Sequence, residues 1–276
     1  METSEYKSKL LQRIQDNKKS PSIESKRLLE IAKDENKLNL LINILNDADQ
    51  SIDKKQDALN VLNAISIFSP KLPTTKPAFV NALRGLMANE NRNLRLTAFS
   101  CLAIMKDEIA QERLKELIVS SEDESAKLVP THQAIAMLGY DEKALDYDAL
   151  KEIAKNPPNN QSLIEALRHL PFDADTFNLL QTIMEDDTKP IEARSMLPEI
   201  LNNLDTEAFL NSTNRIIKNN GLGDDLVPYL AKGVVSIETN YLSDKVEETK
   251  SQLIKLVNTA PKDFKEKMNR ILFPKK

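Results

Sequence analysis

One spacing returns five times along this chain: a small or aliphatic residue followed one helical turn later by leucine. Ala58-x-x-x-Leu62 recurs as Ala98-x-x-x-Leu102, Ala134-x-x-x-Leu138, Leu163-x-x-x-Leu167 and Ala193-x-x-x-Leu197, with leucine replacing alanine in the fourth copy. Successive copies lie 40, 36, 29 and 30 residues apart, and each follows another apolar segment across a short polar break. Residues at i and i+4 share a helix face, and a small side chain there lets a neighbouring helix approach closely. A helix pair repeated at this period cannot bury its apolar faces alone, whereas stacked pairs form a continuous core. The expected fold is therefore all-α, a solenoid of stacked antiparallel helix pairs. Such a fold offers an extended surface rather than a pocket, which directs the functional reading toward binding.

Composition agrees. The 276 residues are 41% hydrophobic and 29% charged, with only 5 glycines and no tryptophan. Few segments alternate with the period of two that strands require. Most prolines fall between apolar runs, among them Pro70, Pro73, Pro77, Pro130, Pro157, Pro158, Pro190 and Pro261, where they start or stop helices. Pro198 and Pro228 lie inside apolar runs and predict a first turn or a kink at each.

Read in order, residues 1–36 form an N-terminal helical cap, with helices expected over Glu5–Gln15 and Glu24–Lys33. Residues 37–206 hold about five helix pairs. These are Leu38–Leu45 with Lys54–Phe68, Ala78–Met87 with Leu94–Lys106, Ala110–Val119 with Pro130–Leu138, Tyr147–Ala154 with Gln161–Leu170, and Asp175–Met184 with Ile191–Leu204. Residues 207–276 carry degenerate helices and a C-terminal cap, Glu207–Lys218, Asp225–Val235, Asp244–Thr259 and Pro261–Leu272, continuing one solenoid. The glycine-bearing stretch Asn219–Gly223 is the expected flexible joint.

The second pair carries a family resemblance. Leu94-Arg95-x-x-Ala98-x-x-x-Leu102, entered from the polar turn Asn89–Asn93, resembles the second helix of a HEAT repeat, and Lys55-x-x-Ala58-x-x-x-Leu62 is similar with lysine for arginine. The third, fourth and fifth pairs depart, with Thr131, Asn160 and Pro190 at that position. The resemblance to the HEAT and armadillo-like solenoids spans Leu38–Leu204. It implies a right-handed superhelix whose second helices line a concave face, a structural role between neighbours for Arg95, and protein scaffolding as the commonest use.

Candidate chemistry is sparse. Cys101, the only cysteine, lies on an apolar face and reads as a core residue. His132 and His169 stand 37 residues apart without an accompanying ligand cluster, so no metal is expected. The runs Glu122-Asp123-Glu124 and Glu185-Asp186-Asp187 lack the spacing of a calcium loop and read as solvated turns. Gly221-x-Gly223 is too short for a phosphate loop. No cofactor is implied. Arg84, Arg92 and Arg95 form a basic group, and Asn60, Asn63 and Asn81 offer hydrogen bonds along a groove; Arg84, Arg92, Arg95, Asn60 and Asn63 are the candidate binding residues.

Net charge is −4, which argues against nucleic acid. The charge is uneven: Lys106–Asp148 carries 11 acidic and 5 basic residues, and Lys262–Lys276 carries 6 basic and 2 acidic. No run reaches the length of a membrane span, and Met1–Leu11 lacks a signal-peptide core, which sets a cytoplasmic expectation. The functional expectation is a non-enzymatic scaffold or adaptor that binds a protein or peptide along its concave face. Two alternatives stand beside it. One is an enzyme on a solenoid scaffold, such as a HEAT-like DNA glycosylase. The other is a regulatory or assembly subunit docking through its ends, with the basic C-terminal segment as one of them.

Overall fold

The computed structural model describes residues 23–68, 77–237 and 243–273. The expected helix over Glu5–Gln15 and most of the Pro70–Pro77 connector lie outside them. Among the described residues the regular structure is entirely helical. The chain divides into two compact units: residues 1–130 with 137–144, and residues 131–136 with 145–276.

The first unit contains α1 (Ile23–Lys33), α2 (Glu35–Asn46), α3 (Ile52–Phe68), α4 (Pro77–Leu86), α5 (Arg92–Ile104) and α6 (Glu108–Val119). Short polar side chains start three of these helices by accepting the otherwise unbonded first-turn N–H groups. Asp34 caps α2, Asn91 caps α5 and Asp107 caps α6. Helices pair within a repeat, α2 with α3 and α4 with α5. They also stack between repeats, α2 on α4 and α3 on α5, while α1 packs on α2 and α3. Leu59, Leu62, Ile65, Phe79, Leu83, Leu94, Phe99 and Leu102 are completely buried where these layers meet.

The division falls within α7 (Thr131–Leu138). The second unit continues with α8 (Tyr147–Lys155), α9 (Asn160–His169), α10 (Ala174–Glu185), α11 (Ile191–Arg194), α12 (Leu197–Leu204), α13 (Thr206–Asn220), α14 (Val227–Val235), α15 (Ser243–Asn258) and α16 (Lys262–Leu272). The same packing rule holds here. First helices follow one another, α8 on α10, α10 on α13 and α13 on α15. Second helices do likewise, α9 on α11, α12 on α14 and α14 on α16. The rule thus runs on through α13–α16, where the Ala-x-x-x-Leu spacing has faded. Asp146, Asn159, Asp173 and Asp205 cap α8, α9, α10 and α13, with a full capping box between Asp173 and Thr176.

All ten residues of the five Ala/Leu-x-x-x-Leu copies are exposed by 2% or less, so the recurring spacing marks the innermost positions. Pro198 lies in the first turn of α12, one of the two outcomes its position predicts, and the segment Ile191–Leu204 is divided there into α11 and α12, because proline has no N–H to continue the ladder from α11. One expectation needs correction. The Asn219–Gly223 joint is a 3-10 turn at Gly221–Gly223, where Gly221 takes the left-handed φ of 57° and the following Asp224 is buried in an ion pair that ties the turn down. Pro228 lies in the first turn of α14, as its position predicts.

Candidate binding surface

Arg95 sits on α5 and points its guanidinium at backbone. Its Nε donates to the Leu128 carbonyl at 2.8 Å, and its Nη1 donates to the carbonyls of Asn89 at 2.6 Å and Glu90 at 3.3 Å. One side chain thus closes its own inter-helix turn and holds the loop that follows α6. Arg84 ends α4 and grips Asp107, with Nη2 2.6 Å and Nε 3.2 Å from Oδ2. Asp107 also accepts the Ala110 N–H at 3.0 Å, so the arginine braces the cap of α6. The hydrogen bond to Asp107 raises the Arg84 pKa further above its ordinary value. The turn before Asp107 is made by Lys106, whose φ of 58° lets the Asp107 N–H reach back to the Leu102 carbonyl.

The other candidates are placed differently. Arg92 is exposed in the first turn of α5. Asn60 is exposed on α3 and accepts a bond from Gln56 at 3.1 Å, while Asn63 is half-buried one turn on. Asn81 is exposed on α4. The arginines and asparagines do not converge on one hydrogen-bonding site: two guanidiniums are spent on the fold, and Asn91 and Asn159 are spent as helix caps.

Members of the acidic runs are also engaged by neighbouring side chains, within the turn or from the next helix pair. Asp123 accepts from the Ser125 N–H at 2.8 Å, and bonds from the Ser125 hydroxyl and N–H hold its pKa low. Glu124 pairs with the buried Lys127 at 3.0 Å. Glu185 pairs with Arg215 at 2.5 Å, and Asp186 accepts from Thr188. His169 Nε2 lies 3.9 Å from Glu165. Among the described residues no three His, Cys, Asp or Glu side chains are grouped to hold a metal ion, and no helix is long and apolar enough to cross a membrane.

Cys101 is 1% exposed, and burial pushes its thiol up to about 12. From an ordinary value near 9.0, that lowers the thiolate fraction at neutral pH by about a thousandfold. Cys101 is therefore expected to react with a chromogenic disulfide reagent only after unfolding. Labelling the native protein as fast as a free thiol would contradict this burial.

Sequence reasoning passed over two features. The first is an open groove of about 600 Å³ in the first unit, with mostly apolar walls. It runs between the end of α4 (Arg84, Met87, Ala88), Phe99 of α5, Leu128, and the outer face of α6, which contributes Glu108, Ile109, Glu112, Arg113 and Glu116. Its sequence signal is the four-residue spacing of Glu108, Glu112 and Glu116 within the acidic middle of the chain. The second is Arg194, 3% exposed, whose Nη1 and Nη2 meet the two Asp224 oxygens at 2.9 and 2.7 Å while Nε donates to the Met184 carbonyl at 3.0 Å.

Arg194 performs for its repeat what Arg95 performs for its own. Each closes the turn behind it and reaches forward to a group 30 or 33 residues on. Other side-chain bonds keep that interval. Gln111 and Lys106 meet Asp141 at 3.2 and 3.1 Å, Gln181 meets Ser212 at 2.7 Å, Arg215 meets Glu185, and Lys245 meets Glu207 at 2.6 Å, across separations of 30–38 residues.

Neither a family model, nor a curated protein, nor a solved structure matches this chain.

Proposed function

We propose that the chain is a HEAT-like α-solenoid that acts as a non-enzymatic scaffold or adaptor, binding a protein or peptide along the concave face lined by its second helices. The observation that carries this reading is the one-repeat interval of the side-chain bonds, 30–38 residues, which coincides with the spacing of the buried Ala/Leu copies. Bonds at that interval are what successive helix pairs make when each contacts its neighbour. The stacking of first helices on first and second on second supports the same reading. Stacked pairs expose surface enough for a standard interface of roughly 800 Å² per partner.

The test is affinity capture of the tagged chain from nuclease-treated lysate of its source, repeated with Asn60→Asp and Arg92→Glu combined. The expected result is one protein recovered in stoichiometric amount and lost in the double variant while helicity is unchanged. Capture unaffected by these and further reversals on second helices would remove the concave-face assignment. Recovery only of nucleic acid, or of nothing, would remove the scaffold reading.

A further inference from the structure

We infer that the groove against α6 is the seat of a basic, amphipathic helical segment of the partner protein; this rests on the protein-binding reading above but not on its concave-face assignment, since α4 and α6 are first helices. Three features converge. The floor is apolar: Phe99 is fully buried beneath it, and Ile109 stands 52% exposed on the wall without a covering side chain to account for it. An isolated exposed isoleucine is unremarkable, but one lining a concave apolar groove marks surface suited to a partner.

The rim is acidic and regular. Glu108, Glu112 and Glu116 stand four residues apart on one face of α6, about 6 Å between successive turns at 1.5 Å per residue. Lysines at i, i+4 and i+8 of an apposed helix repeat that spacing, with leucine-like residues between them facing the floor. Of the two cations that also line the groove, Arg84 is held by Asp107 at 2.6 Å, while Arg113 pairs with Glu116 at 2.7 Å and offsets that carboxylate, so Glu108 and Glu112 carry the acidity of the rim. Glu112, itself exposed, pairs with the half-buried Lys115, a surface contact that an incoming lysine replaces at little loss. The part of the first unit that follows α5, residues 106–130 and 137–144, carries 9 acidic against 5 basic residues, a balance that favours cationic over acidic segments.

The test uses the full chain and two fluorescent helical peptides, one of leucine and lysine with lysines at i and i+4, the other with glutamate for lysine. Anisotropy is expected to show saturable binding of the lysine peptide, weakening as salt rises, and none of the glutamate peptide. Glu108→Lys with Glu112→Lys should weaken it about tenfold, at a few-fold per exposed charge reversed. Ile109→Ser should weaken it with the charges intact and serves if the double reversal disturbs α6. Glu199→Lys, exposed on α12, should leave affinity within about twofold. No binding, or equal binding by wild type and both groove variants, overturns the inference. If a stoichiometric partner is still captured equally by the Glu108→Lys/Glu112→Lys variant, the groove assignment falls and the scaffold reading stands. Loss of that partner in the variant supports both.

Discussion

Replacing Asp224 with alanine is expected to lower the unfolding free energy by about 3–5 kcal/mol, a large share of the roughly 5–15 kcal/mol that holds a folded domain. The reason lies in what remains behind. Arg194 is 3% exposed, and without Asp224 its charge stays buried with only the Met184 carbonyl as partner. The Asn220 amide and the Leu226 N–H, which donate to the same carboxylate at 3.0 and 2.9 Å, lose their acceptor as well. Arg194→Met should cost a similar amount by stranding the carboxylate. The combined Arg194→Met/Asp224→Leu chain should recover most of the loss, because a packed apolar pair carries no desolvation penalty. Urea unfolding of the four proteins measures the cycle. Additive single losses would show that the pair does not act as a unit.

The same carboxylate gives a pH signature. Burial alone would raise the Asp224 pKa, but bonds from Arg194, Asn220 and the Leu226 N–H outweigh it and hold the pKa below the usual carboxylate range. A depressed folded-state pKa contributes stability that is complete above the unfolded value near 3.9 and lost as pH falls through the folded value. The acid side of the stability profile, below about pH 4, should therefore flatten in the Arg194→Met/Asp224→Leu chain. Hydrogen exchange locates the effect. Where each helix pair contacts only its neighbours, amides of α13–α16 should exchange faster in Asp224→Ala than those of α8 and α9.

How much of this was legible follows from the range over which each signal acts. Ala58, Ala98, Ala134 and Ala193 and their leucines announced themselves because burial on a helix face has a local period, and every one is buried. Helix starts were legible only to within a turn: the expected starts at Leu38, Leu94 and Ala110 lie inside α2, α5 and α6, because the apolar spacing does not reach the polar first turns that Asp34, Asn91 and Asp107 cap. Arg194 was not legible. A charged residue next to Ala193 reads by default as solvent-facing, and its partner lies 30 residues away with no local mark. The groove was half legible: the acidic excess of Lys106–Asp148 was visible, but Phe99 and Leu128 join it only through packing between helices. The joint at Asn219–Gly223 was misread because glycine content reports what a turn can adopt, not what anchors it; Asp224 does that. The break before α12 was signalled by Pro198 alone.

Phe209→Ala should cost about 3–5 kcal/mol, the range for removing a buried aromatic side chain. Phe209 is fully buried on α13, and its ring lies against Gly233 in α14. A Cβ built on Gly233 would stand 2.7 Å from the ring Cζ and 3.3 Å from Cε1, so alanine there cannot fit without moving the ring or separating the two helices. Glycine inside α14 is otherwise a liability of up to about 1 kcal/mol relative to alanine, and the close approach of the ring is what offsets it. Gly233→Ala is thus expected to destabilise by up to about 2 kcal/mol, overpacking exceeding the gain in helix propensity. The coupling is the sharper test. Phe209→Leu removes the atoms that clash, so in the Gly233→Ala background it should restore stability, although alone it opens a void and weakens the core. Chemical unfolding of the single and double variants reads this coupling, expected at about 1–2 kcal/mol in favour of the double. Independent effects of the two changes would mean that α13 and α14 do not meet through this ring. The packing rule that carries the helix pairs past residue 206 would then lose its best-defined contact.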